Sequence, residues 1–131
     1  MRYLDDETEM IFAIIDYSIS DELVGSVSLY NIQENVAEVG KILIGDTRAH
    51  GKGIGRKALA LAMEIGFRKL NLSKIVGAVS PENIQAYTND MRVGFEIVGE
   101  HILENGILEK EIEINVSKLH SANEYLKNVW E

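Results

Sequence analysis

The chain has 131 residues and a mass of 14.6 kDa, room for one domain built on one hydrophobic core. Apolar residues make up 46% and charged residues 26%, which excludes a disordered tail, a fibre or a collagen-like repeat, and the lack of cysteine excludes disulfide staples, thiolate catalysis and cysteine-bound zinc. Thirteen bases against twenty-one acids leave a net charge of −8, which argues against a surface made for nucleic acid. No run approaches the roughly 18 apolar residues of a membrane span. Met1-Arg2-Tyr3 leads straight into Asp5, Asp6, Glu7 and Glu9, unlike a secretory or transit peptide, so a cytoplasmic location is expected.

Met10 to Ile15 is a short Ile-rich run, and Val24 to Tyr30 alternates partially around Gly25, so two antiparallel strands are predicted. Asn31 to Asn35 offers turn chemistry, and Val36 to Ile44 resumes as a longer, mostly buried strand with Gly40 at its middle, where a bulge or a close approach is expected. Gly45 to Gly55 reads as a glycine-rich loop, after which the period changes from two to 3.6. The helix that starts near Ile54 carries Ala58, Leu59, Ala62, Ile65, Gly66 and Leu70 on one arc, with Lys57, Glu64, Arg68 and Asn71 placed on the solvated side. Lys74 to Val79 is a buried strand, Asn83 to Val93 a second helix closed by Gly94-Phe95, and Glu96–Leu103 and Ile107–Val116 a hairpin about Asn105-Gly106. Ser121 to Glu124 has capping-box spacing and predicts a last short helix with Tyr125, Leu126, Val129 and Trp130 on its apolar side. The order is β-β-β-loop-α-β-α-β-β with a final helix, one domain over residues 1–131, its core spanning about 10–118 and its tail 119–131.

Chemistry concentrates in Arg48-Ala49-His50-Gly51-Lys52-Gly53-Ile54-Gly55-Arg56, between a buried strand and an amphipathic helix. Between Arg48 and Lys74 lie seven of the thirteen bases and a single acid, Glu64. Glycines let the backbone turn its N–H groups inward, the free N–H groups of the helix start point the same way, and the helix dipole adds partial positive charge. A Walker loop is excluded, because Gly45 and Gly51 stand one residue too far apart and Gly53 replaces the magnesium-binding hydroxyl. A dinucleotide fingerprint would need glycine in place of Arg56 and an early βαβ unit.

Arg48-x-x-Gly51-x-Gly53, followed by Gly55, resembles the acetyl-CoA loop of the GCN5-related N-acetyltransferase (GNAT) superfamily. Asn83 with Gly94-Phe95 resembles that family's second conserved helix, and Glu38-Val39-Gly40 with the late hairpin looks most like the branch of ribosomal-protein alanine and serine acetyltransferases. The resemblance implies an α/β (α+β) fold with a mixed, mainly antiparallel sheet and helices on its faces. It further implies a wedge between Val36–Ile44 and Lys74–Val79 that admits the pantetheine arm of acetyl-CoA beside Leu43 and Ile44. The pyrophosphate then falls on His50, Gly51, Lys52, Gly53, Ile54, Gly55 and Arg56, with Arg48 as a further base and Asn83 on the pantetheine arm. The implied reaction is direct attack of a primary amine on the thioester. The acceptor is expected to be a protein N-terminus such as that of a ribosomal protein, or alternatively a polyamine, an amino sugar or a drug.

Two departures bear on the chemistry. The family's usual proton-donating tyrosine, seven residues after the asparagine, falls on Asp90, a carboxylate that serves as an acid only where burial raises its pKa strongly. Tyr87, nearly one turn earlier, is the candidate acid, and Glu38 the candidate base. Without an acid the chain would be a CoA-binding module with little turnover. His50, His101 and His120 are scattered, so no metal is expected. Only about nine residues precede the first strand, so the strand and two helices that usually wall the acceptor pocket are expected to be missing. A second subunit, as in a homodimer, the Ser121–Glu131 tail or an upstream segment would close the pocket, or it would stay open to a large acceptor.

Overall fold

The alternating stretches fold as three antiparallel strands, β1 (Met10–Ile15), β2 (Leu23–Gln33) and β3 (Val36–Ile44), in a computed structural model that describes residues 9–15, 23–44 and 53–128. Strand β2 runs three residues past the predicted Tyr30. The register slips between Tyr30 and Gln33, with Asn31 left-handed at φ 48, so Asn31 bulges within the strand instead of ending it. The turn is left to Glu34 and Asn35 alone.

Helix α1 (Ile54–Leu70), strand β4 (Lys74–Val79), helix α2 (Ile84–Val93) and the hairpin β5 (Glu96–Ile102) and β6 (Leu108–Ile114) follow as the periodicity predicts. Gly106, at φ 85, forms the hairpin tip, where the Asn105 side-chain oxygen accepts from the Ile107 N–H. The strand predicted to reach Val116 stops at Ile114, because the Asn115 side chain accepts from the Lys118 N–H and starts helix α3 (Val116–Ala122). Residues Glu124–Asn128 then form a 3-10 helix. Leu119 and Leu126 are fully buried in the central cluster, so residues beyond 118 help to build the core. Val129 and Trp130 lie outside the described residues.

The described strands form one sheet in the order β1-β2-β3-β4-β6-β5. β3 and β4 are parallel, and β4 and β5 each run antiparallel to β6, so β3, β4 and β5 share one direction. Two right-handed crossovers stepping the same way place α1 and α2 on the same face. α3 joins them, for Leu59, Met63, Val93 and Leu119 share a cluster with Leu29, Ala37, Ile75 and Ile112. The fit is close at Gly66, where a Cβ would come within 2.5 Å of a Leu29 methyl.

One helix residue departs from its predicted side. Glu64, expected in solvent, is fully buried: its carboxylate accepts from Arg68 Nε at 2.7 Å and lies 2.5 Å from His120 Nε2 on α3. The partner 56 residues away makes this burial tolerable, since a buried charge needs hydrogen-bonded partners.

Candidate active site

β3 and β4 pair at three positions only, Val36 with Lys74, Ala37 with Ile75 and Glu38 with Val76. Beyond that point β3 continues to Ile44 and β4 to Val79 without mutual pairing, and the parallel edges part. The outer end of β3 remains bonded to β2, with Leu43 opposite Ser26 and Ile44 opposite Gly25, so its edge towards β4 is left for an extended guest. Three residues of β2 (Ser26–Ser28) face four of β3 (Gly40–Leu43), and the extra residue is a bulge that bends β3 where the wedge opens. Gly40 admits a side chain: the Tyr30 ring and hydroxyl lie 3.3 Å from where its Cβ would stand.

Glu38 sits at the closed end of the wedge, half-buried, on the face away from the helices. Asn31 donates to its Oε2, so the left-handed bulge of β2 orients the carboxylate. The partnership spans a strand turn, and sequence reading missed Asn31, taking it as part of that turn.

The start of α1 has the features of an anion site. Gly53 precedes the helix at φ 71 and ψ 12, offers no side-chain cap, and the first turn holds no acid. The 17-residue helix thus leaves its positive end uncompensated by Gly53 or its own first turn. Arg56 folds back over this end, one guanidinium nitrogen 4.0 Å from where a Gly53 Cβ would be. Gly53, Ile54, Gly55 and Arg56 thus stand together at an uncapped, acid-free helix start whose charge suits an anion. Arg48, His50, Gly51 and Lys52 lie outside the described residues.

Helix α2 supplies the remaining candidates. Asn83 is its N-cap, its side-chain oxygen 3.4 Å from the Ala86 N–H, which leaves the amide NH2 for a ligand. Tyr87 packs partly against the core, and its phenol contributes to raising the pKa of Lys110, which is held up chiefly by the Glu100 ion pair. Lys110 stands opposite Val79 at the end of β4. Asp90 is half-buried, and desolvation pushes its carboxyl from the ordinary 3.8 to about 6. His101 bridges Glu111 and Glu109 at 2.9 and 3.0 Å on the hairpin, apart from these groups. Among the described residues no cluster of three or more His, Asp or Glu could hold a metal ion, and no helix is long and apolar enough to cross a membrane.

A family model described as the acetyltransferase (GNAT) domain matches residues 1–96. The chain belongs to the GNAT acetyltransferase family. Among its relatives, a probable N-acetyltransferase of Bacillus subtilis, YjcK, is 34% identical over 113 residues, covering 86% of this chain and 58% of that protein. The spermidine N(1)-acetyltransferase of Escherichia coli is 30% identical over 99 residues, covering 76% of this chain and 52% of that protein. The chain therefore spans little more than half the length of these relatives. The spermidine N-acetyltransferase of Vibrio cholerae, solved with CoA and spermine, superposes at a TM-score of 0.78 with 29% identity, covering 90% of this chain and 72% of that one. The GNAT resemblance is thereby established, whereas none of these relatives carries the name of a ribosomal-protein acetyltransferase.

Proposed function

We propose that this domain transfers acetyl from acetyl-CoA to a primary amine of a polyamine. The observation that carries the reading is the end of β3–β4 pairing after Glu38 and Val76, which accompanies the uncapped, acid-free start of α1. When bound, acetyl-CoA supplies an activated acetyl thioester. Gly53 to Arg56 hold its pyrophosphate, Leu43 and Ile44 offer backbone to its pantetheine arm, and Asn83 offers the amide NH2. Arg48, His50, Gly51 and Lys52 complete the loop by the motif they share with the family.

An alkylammonium must lose a proton before it can attack. Glu38, with Oε2 engaged by Asn31, presents Oε1 to accept that proton, directly or through one water. The departing thiolate needs one. Asp90, at about 6, carries a proton in roughly a tenth of molecules at pH 7, which makes it a proton donor where an ordinary aspartate would hold almost none. Tyr87, one turn earlier on the same helix, is the second donor. This supports an active enzyme over a CoA-binding module without turnover, the alternative that Asp90 suggested.

A polyamine acceptor is supported by the printed names of the Escherichia coli and Vibrio cholerae relatives and by the net charge of −8, which favours cationic substrates. The test is thiol release from acetyl-CoA with spermidine, spermine and a ribosomal-protein N-terminal peptide in parallel, products identified by mass. Acetylated polyamine is expected. Acetylated peptide alone would assign the acceptor to the ribosomal-protein branch, and CoA binding without product would favour the module. A homodimer that closes the acceptor side completes the proposal and is read from the mass in solution.

A further inference from the structure

Two consecutive residues of β2 attend the carboxylate of Glu38. Asn31, left-handed at the bulge, donates to its Oε2, and Tyr30 stands directly opposite Glu38 in the β2–β3 register. Directly opposed residues share a face of the sheet, with Cβ atoms about 5 Å apart. Here that face is the one turned away from the helices, and both side chains are partly exposed on it.

The Tyr30 ring leans along β3 as far as Gly40, where Cε1 and the hydroxyl oxygen each lie 3.3 Å, and Cζ 3.7 Å, from where a Cβ would stand. A side chain at position 40 would press on the ring, so Gly40 is what lets the phenol settle there. Glu38 and Gly40 are two residues apart on one strand and share a face. The pairing of β3 with β4 ends after Glu38, so the ring stands beside the candidate base, where the unpaired part of β3 begins.

An acceptor amine has to reach Glu38 from this face, because the other is filled by the packed helical layer. A polyamine brings a second cation with it, a short methylene spacer away from the reacting amine. Along the row that crosses the sheet at Glu38, the next residues on the β4 side are Val76, which carries no charge, and Glu113, which is already paired with Lys74 at 3.4 Å. On the β2 side stands Tyr30, whose ring offers apolar surface to the methylenes and a negative π-face to an ammonium.

We propose that Tyr30 is a specificity-determining residue of the acceptor site, its ring over Gly40 receiving the methylene spacer and second ammonium of a polyamine while the reacting amine gives its proton to the neighbouring Glu38. This rests on the polyamine reading of the acceptor.

The test is steady-state kinetics of the full chain with acetyl-CoA and two acceptors, spermidine and n-butylamine, the second keeping an alkylamine end but lacking the further cation. Tyr30→Leu keeps an apolar side chain and loses the π-face, and it is expected to lower the ratio of kcat/KM for spermidine over n-butylamine about fivefold, chiefly through the KM for spermidine. Tyr30→Phe, which retains the ring, should hold that ratio within about twofold of wild type. Tyr30→pentafluorophenylalanine keeps the shape of the ring but withdraws its negative face, and it should reproduce the loss seen with leucine, so the proposal stays testable even where the leucine variant does not fold. A wild-type ratio in either of these two variants once folded, or an equal loss for both acceptors, would overturn the assignment. Failure of the wild-type chain to acetylate spermidine at all would instead overturn the polyamine reading on which it rests.

Discussion

On the face of the sheet covered by α1, α2 and α3, Val27, Leu29, Ala37, Ile75, Ile112 and Ile114 are at most 2% exposed and none is ionisable. The same strands present Tyr30, Glu38, Val76, Glu111 and Glu113 on the other face, all at least partly exposed and mostly polar. Neighbours in sequence thus serve different ends, for Ala37 closes the core while Glu38 stands at the apex of the wedge. Because a strand alternates its side chains with a period of two, stability and chemistry are written on alternate residues of one segment. Substitutions on the two faces should therefore separate cleanly into those that cost folding free energy and those that cost turnover.

The largest effect is expected from the covered face. Leu29→Ala removes a fully buried side chain packed beneath Gly66 and should cost about 3 kcal/mol in a urea titration, with turnover per folded molecule unchanged. A similar loss for a residue of the open face would break the division. Next is Glu38→Gln, expected to lower the acetylation rate roughly a hundredfold while shifting stability by less than about 0.5 kcal/mol; wild-type rates would remove Glu38 as base.

A smaller effect belongs to Asp90, on the helical layer. Its folded carboxyl titrates at about 6 against an ordinary 3.8, so the native state binds more protons than the unfolded chain between these values. Stability contributed by the protonated group is full below pH 4 and is lost as pH rises through 6. Asp90→Asn should therefore stabilise the fold at pH 7 by about 1–2 kcal/mol, allowing for solvent screening of a half-buried group, and by nothing measurable below pH 4. A stability gain independent of pH would contradict this cause. The smallest effect is expected from Lys74→Ala, which breaks a 3.4 Å ion pair to Glu113 between two part-exposed side chains and should cost less than about 0.5 kcal/mol in the same titration.

The elements that carry the site were legible because each has a local signature. The switch of period from two to 3.6 at Ile54, the Asn83 cap, the Gly94 stop at φ 118 and the Asn105-Gly106 hairpin all depend on residues a few positions apart. What escaped depends on distant partners. Glu64 sits at a polar position of the helical repeat, and only His120 explains why it is buried. Asn31 looks like turn chemistry until β2 is seen to bulge and aim that amide at Glu38. Asn115 outcompetes the later Ser121–Glu124 capping signal because it lies where β6 has already delivered its last inward residue, Ile114. The value of Asp90 follows from desolvation, a property of the packed helix that its register in the motif does not contain.

The central claim is that the slot between β3 and β4 and the start of α1 form one acyl-CoA site with Glu38 at its catalytic end. It is tested most directly by calorimetric titration of acetyl-CoA into wild type, Gly53→Val and Glu38→Gln, followed by spermidine. Gly53→Val places a β-branched residue at φ 71 and should abolish binding, whereas Glu38→Gln should bind acetyl-CoA as wild type does and release almost no thiol on addition of spermidine. Wild-type affinity in Gly53→Val, or no saturable binding by the wild-type chain, would contradict the claim.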